Sequence, residues 1–156
     1  MKIKDNGWKD HYKALRQLSS MKVQIGAVGE HDKEPGQKKS ISNAALVRIH
    51  NNGVPSAGIP ATFFVNKGLS ENVKYLSDLT KKLLNKHHSK KGFDVQKIGD
   101  GLGVAMVKII RATMMSNLAP VLSPKYLAKK VKDGYSNLRL IKTGQLKNSI
   151  THGVKS

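Results

Sequence analysis

The chain predicts an α+β fold, and three features carry that expectation. Two stretches in its middle, about 66–86 and 94–119, space their apolar residues helically. Two short stretches near its ends, 22–28 and 149–154, alternate as half-buried strands do. Its 156 residues suffice for one core and fall short of two domains. The expected architecture is therefore a single domain, 1–156, with two long amphipathic helices packed on a small, mainly antiparallel sheet that includes strands 22–28 and 149–154.

Each element has its own signal. Trp8, Tyr12, Leu15, Leu18 and Met21 recur at steps of three or four, one apolar face of an opening helix with Lys9, Lys13 and Arg16 off it. Val23, Ile25 and Ala27 then alternate with Lys22, Gln24 and Gly26. Residues 30–40 are polar and contain Pro35-Gly36, which predicts a mobile loop. Ser42-Asn43 caps a short helix from Ala44 to His50, stopped by Asn51-Asn52-Gly53. Gly53, Pro55, Gly58 and Pro60 enclose an irregular connection. Leu69, Val73, Leu76, Leu79 and Leu83 stripe the first long helix, from near Asn66 toward Lys86. After a turn at HHSKKG, Asp94 caps the second, with Val95, Ile98, Leu102, Met106, Ile109 and Thr113 on one face and an end before Pro120. Ser123-Pro124 has the cap-then-proline order that starts a helix. The tail reads as an apolar stretch from Leu138 to Ile141, a turn at Thr143-Gly144, and alternation from Ile150 to Val154.

Charge narrows the class of partner. Lys and Arg total 28 against 10 Asp and Glu, a formal +18. The excess lies mostly in the second half: residues 79–156 carry 16 basic and 3 acidic side chains. Such an imbalance favours an acidic partner, nucleic acid or a complementary protein surface, unless it serves solubility alone. Aromatic residues make up 5% and do not interleave with the basic ones, which disfavours a base-stacking platform. There is no cysteine, hence no disulfide framework, thiolate metal site or Cys nucleophile. No apolar run reaches membrane-spanning length, and residues 1–20 lack the apolar core of a secretion signal. The expected setting is a reducing, cytoplasm-like compartment with no membrane partner.

Candidate chemistry is thin. IGDGLG, with Gly99, Gly101 and Gly103, looks like a nucleotide-binding loop, but the sixth position of the fingerprint falls on Val104 and no strand precedes it. Its position in the helical stripe points instead to close helix packing. His87-His88 is flanked by Lys86, Lys90 and Lys91, which oppose a metal ion, and reads as a solvated helix end. His31, Asp32 and Glu34 share a loop without fixed geometry, and His50 stands at a helix end, where a positive charge suits the dipole. No carboxylate pair has catalytic spacing and no serine occupies a nucleophile elbow. The expectation is a protein that is not an enzyme and takes no cofactor or metal. Lys81-Lys82, Lys90-Lys91 and Lys129-Lys130 with Lys132 form three basic clusters, either contacts to DNA phosphates or an acidic surface, or solvated helix faces.

Four segments in order resemble the tail-completion or neck proteins of tailed bacteriophages, also called virion morphogenesis or tail-component proteins. The first is KVQIGAVG at 22–29. The second, 42–64, resembles an alanine-bearing helix, a glycine stop at Gly53 and an Ile-Pro-Ala-Arg-Pro-Phe stretch. Ile59, Pro60, Ala61 and Phe64 match it, whereas Asn52 replaces an aromatic, Thr62 the arginine and Phe63 the second proline. In the third, 119–130, Pro120, Leu122, Ser123, Pro124, Leu127 and Lys130 match, with Tyr126 in place of a threonine. The fourth matches Thr-Gly-x-Leu-x-x-Ser-Ile at Thr143, Gly144, Leu146, Ser149 and Ile150.

The resemblance implies a structural virion protein, assembled as a hexameric or dodecameric ring at the head-proximal end of the tail, that helps join tail to capsid. Implied partners are copies of itself, the tail terminator or tube protein and head–tail connector proteins, with genomic DNA reached through backbone electrostatics. It would reside in the virion's neck or upper tail, and in host cytoplasm during assembly. Candidate subunit contacts are Gly53, Pro60, Phe63, Phe64, Tyr126, Thr143 and Gly144; the two phenylalanines either enter the core or plug a neighbour. The family's other common arrangement places Thr-Gly-x-Leu ahead of the strand, which implies that strand 149–154 lies beside strand 22–28. The competing function is a non-specific DNA-binding or DNA-packaging accessory protein, with the lysine clusters on phosphates.

Overall fold

The computed structural model describes residues 7–27, 41–89 and 92–155. Its elements in order are α1 (Trp8–Ser20), β1 (Lys22–Ala27), α2 (Asn43–Asn52), a 3-10 turn (Pro55–Ala57), α3 (Phe64–Glu71), α4 (Val73–Lys86), β2 (His88–Ser89), β3 (Gly92–Phe93), α5 (Val95–Met114), α6 (Pro124–Lys132), α7 (Gln145–Ser149) and β4 (Ile150–Lys155). The α+β class is as the sequence predicts. The loop expected at 30–40 and Val28, the last residue of the predicted strand, lie outside the described residues.

β1 and β4 pair antiparallel, from Lys22↔Lys155 to Ala27↔Ile150, so the two alternating stretches lie side by side as expected. In β1 the alternation is visible directly, with Lys22 and Gln24 exposed and Val23 and Ile25 half-buried.

α5 packs against this ribbon on one side and against α3 and α4 on the other. Asp94 caps it by accepting the Lys97 N–H at 3.2 Å. Glycines inside a helix cost about 1 kcal/mol each relative to alanine, and the neighbours of α5 explain why it keeps three. A Cβ on Gly99 would stand 2.6 Å from the Val154 side chain, and one on Gly103 2.2 Å from the His152 ring. One on Gly101 would stand 2.9 Å from Leu83 of α4. Gly99 and Gly103, one turn apart, thus seat alternate side chains of β4, and Gly101 admits α4. IGDGLG is a packing device on both sides of a helix. Farther along, Arg111 donates to the carbonyls of Asn148 and Ile150 at 3.1 and 2.9 Å and ties the start of β4 to the helix.

The core gathers Phe64, Val107, Ile110, Met114, Leu118, Leu140 and Ile150, with Ile25, Val47, Val65, Leu69, Ile141 and Leu146 packed on it. Fully burying one such large side chain is worth roughly 1.5–3 kcal/mol.

Four expectations need correction. The first long helix is two: it starts at Phe64 and breaks at Asn72, whose side-chain amide donates back to the Gly68 carbonyl at 2.9 Å while the backbone leaves helical geometry. The buried face of α5 keeps Val95 and Ile98 of the predicted stripe and then turns to Gly99, Gly103, Ala105, Val107, Ile110 and Met114, because this helix is covered on two sides; Leu102, Met106, Ile109 and Thr113 are half-buried. The turn at HHSKKG includes a small antiparallel pair, β2 with β3. Finally, α1 turns its larger apolar residues outward. Trp8 is 74% exposed and Tyr12 and Leu15 are also exposed, while Ala14 is buried against the hairpin, where a Cβ on Gly92 would come within 2.6 Å of it.

Candidate functional site

The connection after α2 is built by capping. Ser42 starts this helix by accepting the Ala45 N–H at 3.2 Å, and Gly53 ends it at φ 75°, where only glycine avoids strain. A Cβ there would also lie 2.6 Å from the Ala61 nitrogen, so the chain returns against the helix end itself. Thr62 and Phe63 then donate their N–H groups to the last-turn carbonyls of His50 and Asn51, at 3.0 and 2.9 Å, and the Thr62 hydroxyl adds a 2.7 Å bond to His50. The Asn51 side-chain oxygen accepts the Val65 N–H at 3.0 Å and fixes the start of α3. These bonds satisfy carbonyls that a helix end leaves open. They give Thr62 a structural task.

This anchoring separates the two phenylalanines. Phe64 is 0% exposed and belongs to the core, so it is no subunit contact. Phe63 is 56% exposed and has φ 47°, the one described non-glycine residue at positive φ. Left-handed backbone in a bulky residue costs on the order of 1 kcal/mol, and here the side chain is still more than half exposed. Pro60, a few residues earlier, is exposed too; Gly53 is half-buried and acts through the turn.

A second group comes together from distant segments. Tyr126 on α6 and Thr143 and Gly144 before α7 line one cleft of about 210 Å³, along with His50, Arg139 and Lys142. Tyr126 and Lys142 continue into a neighbouring hollow of about 280 Å³ that adds Lys129, Asp133 and Tyr135. Lys142 holds its ammonium 5.0 Å from the centre of the Tyr135 ring, a cation–π contact. Arg139 donates to the Pro120 carbonyl and is fixed in place by it. Lys130, expected as an exposed basic contact, is only 5% exposed and donates to the Leu138 carbonyl. Burial, then the nearby Lys142, lower its pKa from the usual 10.5. Burial, and secondarily Arg139, likewise lower the pKa of His50 from 6.5, so this imidazole favours the neutral form and adds little to the dipole at its helix end.

Sequence reasoning placed Tyr126, Thr143 and Gly144 here through the resemblance. It missed Arg139 and Lys142, although NLRLIKTG already sets basic residues between apolar ones.

The other basic candidates remain on the surface. Lys81 and Lys82 are exposed on α4, Lys81 within 3.8 Å of Asp78, and Lys129 and Lys132 are exposed on α6. Lys90 and Lys91 lie outside the described residues. His88 is no isolated helix end: its ring lies 5.0 Å from that of Phe93 and 5.6 Å from that of His11, an aromatic contact that holds the hairpin to α1. Among the described residues no three His, Asp or Glu side chains gather as a metal site, and no helix is long and apolar enough to cross a membrane. Protein-family models, curated proteins and solved structures contain no match to this chain.

Proposed function

We propose that this chain is a structural virion protein of a tailed phage, a neck or tail-completion component that forms a ring at the head-proximal end of the tail and helps join tail to capsid. The observation that carries the reading is the order of four family-like motifs along the chain. The side-by-side pairing of the first and last strands supports it, because relocating the Thr-Gly-x-Leu segment between chain termini requires that adjacency. Phe63 supports it too: the turn that closes α2 and starts α3 sets its backbone, and the aromatic side chain this turn presents is 56% exposed, as a contact to a neighbour requires. In this reading Pro60 and Phe63, with Tyr126, Thr143 and Gly144, meet neighbouring subunits through repeated heterologous contacts. The ring is a hexamer or dodecamer, and its neighbours are the tail terminator or tube and the head–tail connector. The role is assembly, without catalysis or a cofactor.

Immunogold electron microscopy on phage particles tests the location. Label at the head–tail junction is the expected result; intact, unlabelled particles beside abundant protein in the lysate would overturn it. The +18 charge favours one competing reading, a non-specific DNA-binding or packaging accessory. That reading requires duplex affinity to fall steeply with salt, since each phosphate contact releases counterions.

A further inference from the structure

The trough between α6 and residues 139–146 joins two features that belong together only if something acidic fills it. Its walls carry Lys129, Lys130, Arg139 and Lys142, and Asp133 is the sole carboxylate among its lining residues. Its apolar part is smaller: half-buried Leu46 and Leu146 line the inner cleft, with Leu140 of the core beneath them. Lys130 sharpens the point. A buried ammonium needs a counter-charge or several acceptors, and among the described residues this one is held by one backbone carbonyl, that of Leu138.

We propose that this trough is the docking site for an acidic peptide segment of a partner protein, with carboxylates against Lys129, Arg139 and Lys142 and apolar side chains on the leucines. The leucine lining favours a peptide over nucleic acid. Duplex DNA offers phosphates on a broad convex surface and suits projecting lysines, whereas here the cations surround a recessed cleft with an apolar lining. Charge complementarity fixes register and speeds encounter, and desolvation of the inner cleft supplies affinity. The inference deepens the assembly reading by naming the surface a neighbour would use, and it rests on that reading only for where the neighbour resides.

The test uses the purified full chain and a fluorescein-labelled, acetylated hexapeptide of alternating leucine and glutamate, followed by anisotropy and by backbone amide shifts. The expected result is saturable binding, with shifts concentrated at Leu46 and Thr143–Leu146. The double variant Lys129→Glu/Lys142→Glu should weaken it by about tenfold or more, and glutamine in place of glutamate in the peptide should abolish it. Lys81→Glu/Lys82→Glu, which changes net charge equally on α4, should leave binding nearly unchanged. Equal loss from both double variants would reduce the effect to general attraction and overturn the proposal. So would no binding, or a DNA duplex that shifts the same amides and displaces the peptide. Because the experiment is done in solution, its failure leaves the virion location to be judged by microscopy alone.

Discussion

Phe63 and Phe64 are adjacent and do opposite things, and substitution should separate them cleanly. Phe64→Ala empties a fully buried site and should lower unfolding free energy by about 3–5 kcal/mol in denaturant titrations. Phe63→Gly relieves the backbone at φ 47° and should leave the subunit as stable, or more stable by about 1 kcal/mol. If Phe63 is a contact, the same variant should assemble poorly, so that stability and assembly move in opposite directions. His50 offers a pH signature. Its native pKa is lowered by burial and then by Arg139, so below pH 6.5 the unfolded chain takes up the proton first. Stability should therefore fall on acidification from pH 7 through 6.5, toward the lowered native value. His50→Gln should remove that part of the slope in thermal melts taken across the window.

Among the elements, the contact between α5 and β4 is the most sharply specified. Gly103→Ala puts a methyl into the His152 ring and should cost about 1–3 kcal/mol by overpacking, visible as a lower denaturation midpoint. The same contact shows what the sequence could and could not disclose. The caps at Ser42, Asp94 and Ser123 were legible because each side chain serves its own helix start, a local relation. The pairing of β1 with β4 is non-local, and was legible only through the resemblance. Beyond Val95 and Ile98 the buried face of α5 departs from the predicted stripe because periodicity assumes one covered side, and glycines at 99, 101 and 103 carry no apolar signal while admitting partners on two. The break at Asn72 was hidden for a related reason: the apolar stripe continues across it, and the interruption shows only in the folded chain, in the backbone of Asn72 and its bond to Gly68. In the cleft, Tyr126, Thr143 and Gly144 come from two segments, and Arg139 and Lys142 join them only in the folded chain.

For the molecule as a whole, charge sets the balance. With +18 on the chain, ion pairs among the described residues include the exposed contacts Lys81–Asp78 and Lys97–Asp94, each between neighbours on one helix, and neither offsets the excess. Self-repulsion should therefore be substantial at low ionic strength, and added sodium chloride should raise the melting temperature in calorimetry until screening saturates. A protein stabilised mainly by surface ion pairs would respond with the opposite sign. The outward turn of α1 adds a consequence of another kind. Trp8 is the chain's single tryptophan and is 74% exposed, so its fluorescence in the folded subunit already resembles that of an indole in water. Unfolding should scarcely shift its emission, and soluble quenchers should reach it before and after denaturation alike. A blue shift with loss of quenching would then report one event alone, the covering of α1 by another molecule. The chain carries its own optical indicator of assembly, silent to folding.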